Sequence, residues 1–164
     1  MSIHKEKYKN LVLYLSHKCA NKDNFGKTVL CKLMYFCDFD YYEINETSIT
    51  GETYLRLPRG PVPSKLDKVL KELQRENKMK VVNTHFHNYN QQKPISLTEA
   101  DLNVFSGSEM EVINNVLLRF ADFKASNISD YSHEDIPWSA TKSNEAIDYE
   151  LVFYRTPEFS RVAS

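Results

Sequence analysis

No apolar run in this chain approaches the roughly 20 residues that a membrane-spanning helix requires. The opening residues, MSIHKEKYKN, lack the apolar segment of a secretory leader. Cysteine is scarce: Cys19, Cys31 and Cys37 are an odd number at no metal-ligand spacing. That excludes a disulfide framework and fits buried, reduced thiols. Without a leader, the glycosylation-type triplets Asn45-Glu46-Thr47 and Asn127-Ile128-Ser129 carry no meaning. These absences lead to the expectation of a cytoplasmic protein.

Glycine and proline are also scarce, at four and six residues, yet two glycines and three prolines fall within residues 51–63. So constrained a stretch is either a rigid structural corner or a surface held in shape for a partner. Charge is close to balanced overall, at −1, but not locally. Residues 51–80 carry eight Lys/Arg against four Asp/Glu, and residues 98–150 carry three against eleven. The acidic half argues against a protein that wraps its whole surface around a phosphate backbone. It would also steer a basic protein partner.

What the chain does have is aromatic residues, ten tyrosines and nine phenylalanines, more than a core of this size needs, which hints at an interface. Hydrophobic periodicity places a helix on Tyr8, Leu11, Val12 and Leu15. A second helix, with Thr28 as its cap, runs through TVLCKLMYFCDFDYYEI and is apolar around most of its circumference, as a central helix would be. TYLRL alternates as a strand. Leu57-Pro58-Arg59-Gly60 fits a type I turn, and the prolines that follow make a fixed passage into a helix capped by Ser64 and lined by Leu66, Val69, Leu70 and Leu73. A hairpin over KMKVVNTHFH and KPISLT, a helix from about Ser108 and a short helix near 125–132 follow. AIDYELVFYR reads as strand or helix. The fold class is α+β and mostly helical: a compact helical domain with a small strand and hairpin element, winged-helix-like.

No catalytic chemistry emerges from the residues. FGKT lacks the upstream glycine of a phosphate loop, since position 21 is Asn21. His85 and His87 share a strand face, but no third metal ligand is placed beside them. Cys37, His133 and Asp38 have no nucleophile elbow around them. Asp38 and Asp40 sit two apart on a helix and point in very different directions. The expectation is therefore no enzyme, no metal and no cofactor. Nucleic-acid binding would rest on Arg56, Arg59, Lys65, Lys68, Lys71, Arg75, Lys78 and Lys80. Glu72 and Glu76 interleave with the helical lysines, however, as on an ordinary solvated face.

Three segments read together carry a resemblance: KLMYFCDFDYY, ITGETYLRLPRGPVPSKL and SHEDIPW. The chain resembles the Panacea domain of bacterial and phage toxin–antitoxin systems, which includes the SocA-like antitoxins. Lys32, Leu33, Tyr35, Phe36 and Asp38 match that family's helix motif, and Gly51 with Tyr54 its strand motif. Gly60, Pro61 and Val62 match its loop, and His133, Pro137 and Trp138 its late segment. The resemblance implies one domain over residues 1–156, a short C-terminal tail over 157–164 that looks frayed, and an antitoxin.

Such an antitoxin neutralises a toxin encoded by an adjacent gene, by direct protein–protein contact. The toxin could be a small nucleotide-synthetase-like inhibitor of translation, and the complex could contain a homo-oligomer. The alternatives are a proteolytic adaptor that delivers the toxin to a protease and, less in keeping with the resemblance, a winged-helix DNA-binding regulator. The motif residues serve either the fold or the contact. The contact candidates are Tyr54, Arg56, Arg59, Asp130, Tyr131, Glu134 and Asp135.

Overall fold

The computed structural model describes residues 2–86, 89–120 and 123–162, so His87 lies outside the described residues. Helix α1 (Lys5–Lys18) buries Tyr8, Leu11, Val12 and Leu15 completely, as their spacing requires. Helix α2 (Lys27–Asn45) is the central element, with every residue from Val29 to Glu43 buried. Its cap is Gly26, two residues before the expected Thr28.

The Gly/Pro-rich stretch is a hairpin and not a plain passage from strand to helix. Strand β1 (Tyr54–Leu57) pairs antiparallel with β2 (Gly60–Pro63) around the turn Pro58-Arg59. Prolines survive in a strand when their missing N–H faces away from the ladder. Ladder bonds alternate along an antiparallel pair, and Ser64 N–H donates to the Thr53 carbonyl at 3.0 Å. Pro61 and Pro63, opposite Arg56 and Tyr54, therefore sit at the non-bonding sites. The other edge of β1 is used by residues 144–147. Arg56 N–H donates to Glu145, Asn144 N–H to Arg56 and Ile147 N–H to Tyr54. AIDYELVFYR thus begins as an extended partner of β1 and ends in the 3-10 helix Tyr149–Tyr154.

Helix α3 (Leu66–Arg75) follows. Ser64 does not cap it. Glu52 takes that part: its carboxylate accepts from Lys65 N–H at 2.8 Å and from the Ser64 hydroxyl at 3.0 Å. A carboxylate there also meets the positive end of the helix dipole. Strands β3 (Met79–Phe86) and β4 (Tyr89–Ser96) form the expected second hairpin. Helices α4 (Gly107–Phe120), α5 (Ala125–His133) and α6 (Ile136–Ser139) complete a mostly helical α+β fold.

Two expectations are corrected here. The aromatic surplus fills the core: Tyr8, Phe25, Tyr35, Phe36, Phe39 and Tyr54 are all fully buried. Stacking of Phe36 on Phe120 and of Phe39 on Tyr149 joins α2 to its neighbours. The segment after residue 156 does not fray through residue 162. Phe159 is buried against Tyr131 with ring centroids 4.5 Å apart, and the Ser160 hydroxyl and Arg161 N–H both donate to Glu43. One buried ring and a buried acceptor suffice to hold so short a stretch.

Candidate functional site

The motif residues converge on the two flanks of α2. On one flank Asp38 is fully buried and accepts four hydrogen bonds: from Ile49 and Thr50 N–H at 2.9 Å each, and from the Thr50 and Tyr54 hydroxyls at 2.6 Å. Burial pushes its carboxyl up, and the donors pull the other way without cancelling that. Burial and the neighbouring Asp38 charge raise Tyr54 well above an ordinary phenol. Beside it Glu52 is buried too, gathering Tyr8, Thr53, Ser64 and Lys65. Gly51 turns the chain between them at φ 75°, with the Ser2 carbonyl where a Cβ would stand. This flank welds α1, α2, β1 and the start of α3 together.

On the other flank Lys32 is 1% exposed and its ammonium reaches the Pro61 carbonyl at 3.2 Å. Burial lowers its pKa. Gly60 lies over this side chain at φ 115°. His133 stacks on Trp138, with centroids 4.1 Å apart, and the Arg56 guanidinium covers the same indole at 3.9 Å. His133 Nε2 and Trp138 Nε1 are buried without partners. Burial lowers the His133 pKa; Asp130 opposes this, and Lys32 and Arg56 add to it. Pro137 occupies the first turn of the four-residue helix that carries Trp138.

A buried charge network ties the far end of α2 to the C-terminal segment. The Arg155 guanidinium donates to both oxygens of Asp135, at 3.0 and 2.7 Å, and to Asp40 and Glu43 at 2.8 and 3.0 Å. Arg119 takes the second Asp40 oxygen at 2.9 Å, and the Tyr35 hydroxyl donates to Asp135. Burial opposes the charge on Arg155, yet the Asp40 and Asp135 fields outweigh it and raise its pKa. Asp38 and Asp40 indeed serve different sites.

Two contact candidates are corrected. Tyr54 is fully buried with its hydroxyl on Asp38, and Asp135 is fully buried under Arg155, so neither is at the surface of this chain. Arg59, Asp130 and Glu134 are exposed, and Arg56 and Tyr131 are half-buried. The exposed three lie near one another: β2 packs against α5, and His133 of α5 sits by the Pro58 carbonyl and the Asp130 charge. Val62 is partly buried against the core.

Among the described residues, Cys37, His133 and Asp38 do not come together as a nucleophile set. Cys37 is fully buried and burial raises its thiol, while Asp38 is committed to four donors. Among the described residues no three His, Cys, Asp or Glu side chains gather as metal ligands. An open cleft of about 320 Å³ between α2, α4 and Arg161 has no His, Cys or Lys in its lining.

Residues 30–139 match the family model described as "Antitoxin SocA-like, Panacea domain". The chain belongs to this family. Neither a curated protein nor a solved structure matches it. The matched span contains all the motif residues, from Lys32 to Trp138. Glu52, Thr50, Arg119 and Arg155 escaped the sequence reading of this Panacea domain. Each is an ordinary polar residue whose burial depends on elements distant in sequence, and Arg155 lies beyond the matched span. A lone arginine before a proline-containing tail carries no local signal.

Proposed function

We propose that this Panacea-domain protein is a non-enzymatic cytoplasmic antitoxin. It masks a toxin encoded by an adjacent gene through direct protein–protein contact. The observation that carries this reading is the family match over residues 30–139. The build of the domain supports contact as the mode of action. The β1–β2 hairpin is fixed by a paired edge on each side of β1, by Gly60 against Lys32 and by the Arg56–Trp138–His133 stack. A surface already held in its bound shape loses little ordering entropy on association. We assign the contact to the exposed Arg59 at the hairpin turn with Asp130 and Glu134 of the α5 region. The acidic pair suits a small basic toxin of the nucleotide-synthetase kind.

The test is co-expression with the adjacent gene, scored by growth and by recovery through a tag on this chain. Masking gives a toxic neighbour, restored growth and recovery of both chains at a fixed ratio. Restored growth with disappearance of the neighbour from the lysate would replace masking with delivery to a protease. A harmless neighbour that does not co-purify would overturn the antitoxin reading.

A further inference from the structure

The Lys32 ammonium is 1% exposed and has the neutral Pro61 carbonyl, at 3.2 Å, as its hydrogen-bond acceptor. An ammonium carries three N–H donors, and a buried charge is ordinarily paired with an opposite one. Arg155, another deeply buried cation, follows that rule with three carboxylates. Lys32 does not, since among the described residues no carboxylate pairs with it. The Arg59 charge that reaches it has the same sign. Cys31, which also acts on it, stays a neutral thiol because burial raises its pKa.

Further cations and unused polar atoms gather around this lysine. A Cβ on Gly60 would touch both Lys32 Cε and the Ser132 hydroxyl, each at 2.7 Å. The end of Lys32 therefore lies against α5, one residue from His133. The His133 ring is nearly parallel to that of Trp138, at 19°, and both His133 Nε2 and Trp138 Nε1 are buried without a hydrogen-bond partner. The Arg56 guanidinium stacks on the same indole and donates to the Ser139 and Thr141 carbonyls. Buried polar atoms are nearly always satisfied, yet here two orphans share one stack. Lys32, Arg56 and Arg59 bring three positive charges to it, and among the described residues none of the three pairs with a carboxylate.

We propose that Lys32, Arg59, His133 and Trp138 form a binding site for one phosphate group, free or carried by a small ester. Such a group has a charge of about −1.5 to −2 at pH 7 and three strong acceptor oxygens. Those oxygens point in different directions, as do donors arriving from α2, the β1–β2 turn, α5 and α6. The two oxygens of a carboxylate lie in one plane and would leave donors unmet. Pro58 and Arg59 are exposed, and Arg56 and His133 are half-buried, so the cluster meets solvent on that side. Reaching the buried nitrogens takes a displacement of the Pro58-Arg59 turn, the exposed end of the hairpin. Asp130 and Glu134 are exposed next to His133 and carry the opposite sign. They favour a single small anion over a nucleic-acid backbone, which would have to lie across them. The site goes beyond the antitoxin reading and needs no partner chain.

The experiment follows the emission of Trp138, the single tryptophan of the chain, in phosphate-free buffer. Sodium phosphate and, separately, ribose 5-phosphate are titrated into the full chain, with sodium chloride of equal ionic strength as the control. A saturable change in emission is expected with phosphate and absent with chloride. At ten times the midpoint concentration, the folding equilibrium should shift about 10-fold, read as a melting-point rise of roughly 3–6 °C.

Lys32→Met keeps the length of the side chain and removes the charge. It should abolish both responses, yet without phosphate it should melt at or above wild type. The reason is that an apolar residue of similar volume recovers what a buried unpaired charge costs. A lysine kept for the fold alone would show the reverse, a lower melting point and no change in any anion response. Arg59→Ala, at an exposed position, carries the test independently of that variant. It should melt like wild type and raise the phosphate midpoint by about 10-fold, the loss of one charge-assisted hydrogen bond.

A response to ribose 5-phosphate without one to inorganic phosphate, lost in Lys32→Met, would support the site and assign it an ester. No saturable response to either anion would overturn the proposal, as would an equal response in Lys32→Met or to chloride. Growth rescue by the wild type bears on the antitoxin reading and leaves these measurements standing.

Discussion

Gly60 lies directly over Lys32: a Cβ built on Gly60 would stand 2.7 Å from the lysine Cε and 2.7 Å from the Ser132 hydroxyl. With φ at 115°, the backbone is also where side chains are rarely accommodated. Gly60→Ala should therefore destabilise the protein by about 2 kcal/mol or more, from strain and overpacking together. Gly107, at the start of α4, has nothing within 4 Å of its Cβ position. Gly107→Ala should be neutral or stabilising by up to about 1 kcal/mol. Urea unfolding of the two variants side by side checks both signs.

Asp38 is the hub of the opposite flank. In Asp38→Asn one oxygen still accepts from the Ile49 and Thr50 N–H groups. The amide nitrogen, however, faces the Thr50 and Tyr54 hydroxyls with a donor where an acceptor is needed. Hydrogen bonds to a charged acceptor contribute about 1.5–3 kcal/mol each, so a loss of at least about 2 kcal/mol is expected. The acid also leaves a pH signature. Its native pKa lies above the ordinary carboxylate value, so the folded state holds the proton more tightly than the unfolded chain. Between those two pKa values, Asp38 makes stability fall as pH rises. Asp38→Asn should remove that contribution, which urea midpoints measured from pH 3 upward would reveal.

Removing Arg155 would strand Asp135, Asp40 and Glu43 without their shared guanidinium. Breaking one side of a buried pair costs about 3–5 kcal/mol, and Arg155→Ala should fall in that range. Arg155→Lys keeps the charge but cannot span three carboxylates, and should recover only part of the loss. Thermal unfolding is the readout. At roughly 2–4 °C per kcal/mol for a protein of this size, the alanine variant should melt on the order of 10 °C early. A melting point within 2 °C of wild type would mean that the network adds nothing net.

The α1 stripe, the all-round apolar α2, the second hairpin and helices α4 and α5 were legible because local period and burial agree in them. The β1–β2 hairpin was not: two prolines in four residues argue against a strand unless the ladder's phase is known, and that phase is set by the pairing with Thr53. The motif residues were found as a set, but their sides were not. Tyr54 and Arg56 share one face of β1 as expected, yet Tyr54 on that face is fully buried, because Asp38 waits beneath it, while Arg56 stays half-buried over Trp138. Asp135 sits in an acidic run with exposed Asp130 and Glu134, and only the distant Arg155 distinguishes it. Buried polar pairs between far-apart residues leave no trace in periodicity.

If the contact lies at the hairpin turn and α5, exposed and buried candidates should behave oppositely. Asp130→Lys and Glu134→Lys should leave the melting point unchanged and weaken capture of a basic toxin by roughly 10-fold, chiefly through slower association. Tyr54→Phe should lower the melting point, because it deprives Asp38 of a donor, and should leave the intrinsic affinity of the folded fraction intact. Surface plasmon resonance with the co-purified partner separates the two. Wild-type association rates in both charge-reversal variants would move the contact elsewhere.

His133 reports on its own surroundings through Trp138, the single tryptophan of the chain, against which it stacks at 4.1 Å. Burial lowers the imidazole pKa below 6.5; the Asp130 charge and the Pro58 carbonyl oppose this, and Lys32 and Arg56 support it. A native pKa below the unfolded one means that the unfolded chain binds more protons in the interval between them. His133 therefore makes stability rise with pH across that interval, and its contribution is lost as pH falls through it. An imidazolium stacked on an indole quenches its emission. Tryptophan fluorescence should then titrate with a midpoint below 6.5, and the step should vanish in His133→Gln. Asp130→Asn removes the one nearby charge that favours the proton and should move the midpoint lower still. A wild-type midpoint at or above 6.5 would mean that water reaches the ring and that the stack over Trp138 is open in solution.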